Sequence, residues 1–266
     1  MNKCIMMPLL AVSALLAFGC AKKAERGEFT LEKGTLKIGI EIGYPPFEYY
    51  AADGKTPEGF DVELGKELAG RLGLQARFID TAWDGIFAGL DTDRYDIILS
   101  AVAMVPSRTA HYDFSAPYIG NGQAIVLRAD SSLEIFGPAD LSGKKVGYQA
   151  DSTSDFFMEK QTAAGVAALK SEYDKVMNAY DDLRLGRIDA AVSDYLVATA
   201  YVGKPDSEFK TVWIDEPDEY FGVCLKKGNE ALLKKIDGAL SEMKADGTLK
   251  DLYISVFGND LSDSIK

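Results

Sequence analysis

Arg108 has the neighbours of a binding residue. It sits in YDIILSAVAMVPSRTAHYDFS, Tyr95 to Ser115. Tyr95, Ile97, Ile98 and Leu99 read as a buried strand. Ser100, Ala101 and Ala103 follow, small residues that let a ligand approach the backbone. Pro106 stops the strand, Ser107 offers a turn or helix cap, and Arg108 comes next. A guanidinium just past a strand end, beside free N–H groups, can bind both oxygens of a carboxylate, and a low local dielectric strengthens the pair. The alternative is a solvated surface arginine.

Other polar residues stand at comparable places. Asp194 ends the Ile188 to Val192 strand and precedes a helix, as an N-cap or a ligand contact. Gln149 leads into Asp151-Ser152-Thr153-Ser154, whose hydroxyls directly precede a helical pattern; helix N-termini attract carboxylates. Glu41 and Tyr44 follow the first strand, where open α/β sheets bind ligands. Glu41 is a site acid or a solvated loop acid. Tyr44 suits a site wall, and Phe47, beyond Pro45-Pro46, suits the core. Trp83 lies off the apolar stripe of Ile86, Phe87 and Leu90, facing a cleft or the core. The sequence contains no metal-ligand cluster, nucleophile triad or phosphate loop, so no metal or cofactor is implied.

The elements that must carry these residues alternate strand and helix. Leu36 to Ile40 is a strand. Asp61 is placed to cap a helix with Leu64, Leu68 and Leu72 inward, closed by Gly73. Leu74 to Ile79 is a strand, and Thr81 with Asp84 resembles a capping box. An apolar strand from Gln123 to Arg128 opens a second unit. It continues through a strand at Val146 to Tyr148, a helix at Asn178 to Leu185 closed by Gly186, and late strands at Trp213-Ile214 and Tyr220 to Leu225. An amphipathic helix from Asn229 to Lys244 and a short helix from Leu249 to Phe257 precede a polar tail expected to fray.

The chain has 266 residues, 47% of them hydrophobic, and a formal net charge of −12. That is ample for a two-lobed globular core, and it argues against a nucleic-acid partner. Met6 to Phe18 is an apolar run too short for a membrane span, followed by Gly19-Cys20 and the polar AKKAERGE. This reads as a secretory signal with a lipoprotein-type cleavage site and a lipidated Cys20, although Leu16 sits one place too far from Cys20 and Phe18 is bulky. Ordinary cleavage to a soluble protein is the alternative. Cys4 would leave with the signal, and Cys224 would pack as a small hydrophobe with no disulfide partner.

Taken together, GYPPFEYY, PEGFDVELGKELAGRLG, TAWDGIFAGL, YDIILSAVAMVPSRTAHYDFSAPY, LSGKKVGYQADSTS, GRIDAAVSDY, YFGVCLKKGN and MKADGTLKDLY resemble, in this order, the periplasmic amino-acid-binding proteins of ABC importers, solute-binding protein family 3. The resemblance covers residues 35 to about 258. It implies a type II periplasmic-binding-protein-like α/β fold of two lobes joined by two hinge crossovers. The first lobe is discontinuous, 35–120 and 221–258, and the second spans 121–220. Around them stand a signal peptide at 1–20, a tether at 21–34 and a tail at 259–266. It further implies a monomer in the periplasm or at the cell surface, lipid-anchored through Cys20, that binds a free L-amino acid and meets a membrane permease.

Residue by residue, the resemblance matches Arg108 to the ligand α-carboxylate, joined by the Thr153 N–H, and Asp194 to the α-ammonium. Tyr44 and Trp83 match aromatic walls, Glu41 a reader of the side-chain tip, and Ser100 and Ala101 a backbone ledge. Ala103 departs from the pattern, since relatives often carry Ser or Thr there to help hold the ammonium; its N–H can still serve the carboxylate. Aromatic faces with a carboxylate suit a cationic side chain, so arginine or lysine comes first. Gln149 and Ser193 would suit glutamine or cystine. Acidic amino acids fit least, because no second cation is seen to aim at the pocket. Two rival functions share the fold: a cyclohexadienyl dehydratase-like enzyme, with Glu41 or the single histidine His111 as its acid, and the input domain of a ligand sensor acting with a separate partner.

Overall fold

The strongest alternation near the start of the chain buries Leu36, Ile38 and Ile40. The computed structural model, which describes residues 25–203 and 206–265, makes that segment the strand β1 (Thr35–Ile40) of a five-stranded sheet. A two-strand hairpin follows, β2 (Tyr49–Tyr50) with β3 (Pro57–Glu58). Then come α1 (Phe60–Arg71), β4 (Gln75–Asp80), α2 (Trp83–Asp91), β5 (Ile97–Ile98), the one-turn α3 (Pro106–Thr109) and β6 (Tyr112–Phe114). β1 runs parallel to β4, Thr35 opposite Gln75, and to β5, Ile38 opposite Ile97. Hence the loops after β1, β4 and β5 open at one sheet edge, as crossover connections require.

The chain then crosses at β7 (Ile119–Asn121) into a second five-stranded sheet. That lobe contains β8 (Gln123–Arg128), β9 (Lys145–Gln149), α4 (Thr153–Ala163), β10 (Leu169–Tyr173), α5 (Val176–Arg184), β11 (Ala190–Asp194), α6 (Tyr195–Val202) and β12 (Phe209–Ile214). Its strand order is β10-β9-β11-β8-β12. The return crossing is β13 (Glu219–Phe221), antiparallel to β7, so both crossings form one small hinge ladder. The chain ends in the first lobe with β14 (Cys224–Lys226), α7 (Glu230–Asp246) and α8 (Thr248–Phe257). β14 inserts between β5 and β6, giving the order β4-β1-β5-β14-β6 and making the first lobe discontinuous.

Aromatic packing joins the two ends of that lobe. Phe47 and Phe60 meet Phe257 with ring centroids 5.5 and 5.3 Å apart, and Tyr253 stacks on Phe60 at 5.4 Å. Phe47 is in the core, as its position suggested. Cys224 is fully buried in β14.

Several expectations change. Tyr220 to Leu225 is not one strand: the hinge strand and β14 belong to different sheets and separate at Gly222. Asp61 does not cap α1; it is buried, accepting from the Ala101 N–H at 2.6 Å and the Tyr118 hydroxyl at 3.0 Å. Thr81 and Asp84 form no capping box, because α2 starts at Trp83 and the Thr81 hydroxyl donates back to the Ile79 carbonyl. Ser107 lies inside α3, whose N-cap is Val105. The tail does not fray. Ser262–Ser264 forms a 3-10 turn, and the Gly120 N–H of the hinge donates to the Ser264 hydroxyl at 3.0 Å. The tether is docked from residue 25: Thr30 is buried and the Leu31 N–H donates to Asp96 at 2.6 Å. The expected signal, with Cys4 and Cys20, lies outside the described residues.

Behind the site, the buried Tyr95 ring passes between Gly39 of β1 and Gly89 of α2, and a Cβ at either glycine would overlap it. Gly39→Ala and Gly89→Ala should each cost ~1–3 kcal/mol in chemical denaturation, because an ordered core yields little. Tyr95→Leu in the Gly89→Ala background should recover part of that loss.

Candidate functional site

The two sheets point their strand ends at each other. From the first lobe, Glu41 follows β1, Trp83 begins α2, Ser100 and Ala101 follow β5, and Arg108 sits in α3. From the second, Gln149 ends β9, Ser152 and Thr153 begin α4, and Asp194 ends β11. These residues, with Tyr44 and Glu48, line one cavity between the lobes.

Arg108 is 7% exposed. Its guanidinium carbon lies 5.2 Å from the Trp83 ring centroid, 5.4 Å from Phe87 and 5.7 Å from Phe156. It donates to the Ala103 carbonyl at 3.3 Å and the Asp151 carbonyl at 3.2 Å. Among the described residues, no carboxylate lies within ion-pair distance of it. Burial pulls its pKa down from the usual guanidinium range. A guanidinium stays charged regardless, so this is a desolvated cation open to an anion.

Asp194 is the opposite pole. It holds the N-cap position of α6 but makes no side-chain cap bond. Its carboxylate accepts instead from the Tyr44 hydroxyl at 2.6 Å, the Gln123 amide at 2.8 Å and the Thr153 hydroxyl at 3.4 Å. Burial raises its pKa, and those hydrogen bonds oppose the rise. Ser152, not Thr153, caps α4, accepting from the N–H groups of Ser154 and Asp155. Thr153 is therefore the first helical residue, at the positive end of the helix.

Glu41 is 3% exposed. One oxygen accepts from the Gln149 amide at 2.8 Å, and the other has no hydrogen-bond partner. Burial pushes its pKa up to about 7, against the pull of the Gln149 bond and of Lys175. The ledge is braced from below. Ser100 accepts from the Glu41 N–H at 3.0 Å and donates to buried Glu48 at 2.7 Å. Asp61 holds the Ala101 N–H, with Ala101 in the left-handed region at φ 46°. That N–H is therefore committed to the protein.

Two sequence expectations fail here. Ser193 turns away from the cavity and pairs with the Tyr180 hydroxyl at 2.8 Å. Ala103 lies outside the lining, bridged to Phe221, and touches the site only through its carbonyl on Arg108. His111 is exposed and also outside the lining. Sequence reasoning missed Glu48, Gln123, Glu219 and Lys175. Lys175 is the second cation that was not anticipated: its ammonium reaches the Ile42 carbonyl at 2.8 Å and lines a cavity that shares Glu41 and Trp83 with the first. Only the turn Asp174-Lys175 opposite the first strand end could have signalled it.

Residues 36–259 match the model of the bacterial extracellular solute-binding proteins, family 3. This chain belongs to that family. It is similar to the L-cystine-binding protein TcyJ of Escherichia coli, 36% identical over 259 residues, covering 97% of this chain and 96% of that one. Among solved structures it is similar to an ancestral arginine-binding protein bound to arginine, with a TM-score of 0.80 and 37% identity over 85% of this chain and 99% of that one. It is also similar to the ancestral amino acid-binding protein AncCDT-1, a precursor of cyclohexadienyl dehydratase, with a TM-score of 0.76 and 33% identity over 84% of this chain and 95% of that one. The family membership and these solved relatives agree with the type II two-lobed fold expected from the motif order.

The raised acids make a pH prediction. Burial lifts Glu41, Asp61 and Glu219 to about 7 in the folded chain. The folded state then holds more protons than the unfolded one between about pH 4.5 and 7, so stability falls as pH rises through that window. The unligated protein should unfold at a lower temperature at pH 8 than at pH 5.5 by calorimetry. Glu41→Gln should flatten part of that slope.

Proposed function

We propose that this chain captures one free L-amino acid between its lobes, outside the cytoplasm, and delivers it to an ABC permease as a monomer. The observation that carries this reading is the pair of poles: a buried Arg108 without a carboxylate and a buried Asp194 without a cation, on opposite lobes. A zwitterion answers both, and each pole is costly to bury half-paired. Thr153, at the start of α4, adds a helix N-terminus for the carboxylate. Tyr44 and Trp83 hold the side chain, over the ledge of Ser100 and Ala101. A lipid on Cys20 would anchor the protein to the membrane, and mass spectrometry of the native N-terminus tests that.

The far end of the pocket selects the ligand. The unpartnered oxygen of Glu41 beside Trp83 favours a side chain that ends in a cationic nitrogen, as in arginine or lysine. Lys175 favours a second reading. Glu41 and Lys175 together form another acid–base pair, which the far zwitterion of cystine would match, and the similarity to an L-cystine-binding protein supports this. Binding rather than turnover is our reading, and prephenate and arogenate should pass unchanged. Turnover of either would revive the enzyme, with Glu41 as its general acid.

A thermal-shift panel of the proteinogenic amino acids plus cystine tests the class. Arginine, lysine or cystine should stabilise the protein, by ~2.7 kcal/mol at a hundred times Kd. Stabilisation by glutamate alone would refute the cationic reading. Arg108→Ala should weaken the bound ligand by ~100-fold or more. Lys175→Ala should weaken cystine by roughly tenfold and leave arginine within about twofold.

A further inference from the structure

Gln123 opens the second lobe at the foot of the hinge, and its side-chain nitrogen faces too many acceptors. It lies 2.8 Å from an Asp194 oxygen, 3.0 and 3.3 Å from the two Glu219 oxygens and 3.2 Å from the Thr153 hydroxyl. An amide nitrogen carries two hydrogens, so it cannot satisfy them all. Its orientation is set from the other end, where the Ser154 hydroxyl donates to the Gln123 oxygen at 2.7 Å. Two carboxylates thus converge on one neutral group, and among the described residues neither has an ion-pair partner.

We propose that Glu219 is a positioning residue for the ammonium end of the ligand: from hinge strand β13 it clamps the Gln123 amide that orients Asp194, and it gives up a proton to solvent when an ammonium settles beside Asp194. The inference rests on the proposed function, which supplies that ammonium.

The charges around Glu219 support the proton step. Asp194 faces it from β11 and Asp218 precedes it on its own segment, both negative; Gln123 from β8 hydrogen-bonds to it, and Thr153 from α4 holds its pKa down. From the first lobe, Arg108 and Tyr44 feel its charge. Burial, then Asp194, pushes Glu219 up to about 7, so it changes charge in the neutral range. A positive charge placed beside Asp194 offsets the repulsion, and Glu219 ionises. Because β13 pairs with β7, this charge is set at the strand pair on which the lobes pivot.

Calorimetric titration with L-arginine, L-lysine and L-cystine, each at pH 7 in buffers of different ionisation enthalpy, tests the proposal. Glu219→Gln keeps an oxygen for the Gln123 amide and loses the charge. The wild type should release measurably more protons per ligand than this variant. The variant should bind roughly tenfold more weakly at pH 8 and within about twofold of wild type at pH 6. Equal proton counts, or a loss of affinity that does not change with pH, would overturn the inference and leave amino-acid capture standing. If none of the three ligands binds the wild type, the ligand reading fails and this inference falls with it. Glu41→Gln removes the other acid near 7 in the cavity wall, and a proton release that persists in that variant supports Glu219 without relying on the folding of Glu219→Gln.

Discussion

A cation buried among aromatic rings with no carboxylate of its own is the constraint on which this molecule turns. Arg108 has lost most of its water and received two backbone carbonyls in exchange. Carbonyl dipoles compensate part of a desolvated charge, and removing an ion from water costs several kcal/mol even after relaxation. The three rings around it add cation–π attraction of ~0.5–2 kcal/mol each at most. The balance favours an anion at the guanidinium, and the same reasoning with the sign reversed favours a cation at Asp194. The remaining architecture places those two poles on separate bodies and keeps each from being neutralised by its neighbours.

The sheets do this through their topology. In both lobes the parallel strands end at the cleft, so residues just past β1, β5, β9 and β11 meet there although they are far apart in sequence. Strand ends and helix starts are stiff, which suits a site that must hold charges in fixed directions. The acids beneath the ledge serve the same end. Asp61 keeps Ala101 in a left-handed conformation that an alanine would otherwise avoid, and the same carboxylate receives the Tyr118 hydroxyl just before the hinge strand. One buried acid thus ties the ledge to the crossover.

Much of this was legible in the residues. The apolar run into small residues before Arg108, and the hydroxyl cluster before α4, located both ends of the cleft from local pattern alone. Several failures share a cause: polar residues next to helix starts were read as caps. Asp61 and the Thr81–Asp84 pair had the right spacing for capping, but spacing shows neither that partners distant in sequence claim the Asp61 carboxylate nor that the Thr81 hydroxyl turns back to the Ile79 carbonyl. Ser193 failed for a geometric reason, since neighbours along a strand face opposite ways and Asp194 had already taken the cleft side. Lys175 was invisible because its role depends on where the second lobe lies against the first, and Glu219 because it depends on how the return crossing meets the start of β8. No sequence period encodes that placement.

The closing of the lobes can be argued by magnitude. Across the cleft run the bonds Tyr44 to Asp194, Gln149 to Glu41, and Trp83 and Arg108 to the Asp151 carbonyl, with Lys175 to the Ile42 carbonyl at its edge. Each is worth ~0.5–1.5 kcal/mol net, and those with a charged partner somewhat more. Set against them are the desolvated Arg108 and the acids Glu41, Asp194 and Glu219, at several kcal/mol for each group that stays ionised. While all four groups stay ionised the opposing sum is the larger. Raising the pKa of Glu41 and Glu219 toward neutrality lowers the opposing sum, because a protonated acid is cheap to bury. A zwitterion that touches both poles adds favourable pairs only in the closed arrangement, and a difference of ~5.5 kcal/mol between the two states is enough to turn a minor population into the dominant one. A ligand touching Arg108 alone would bind both arrangements about equally and move the hinge little. On the proposed function, placing opposite charges on opposite lobes would make binding and closure the same event.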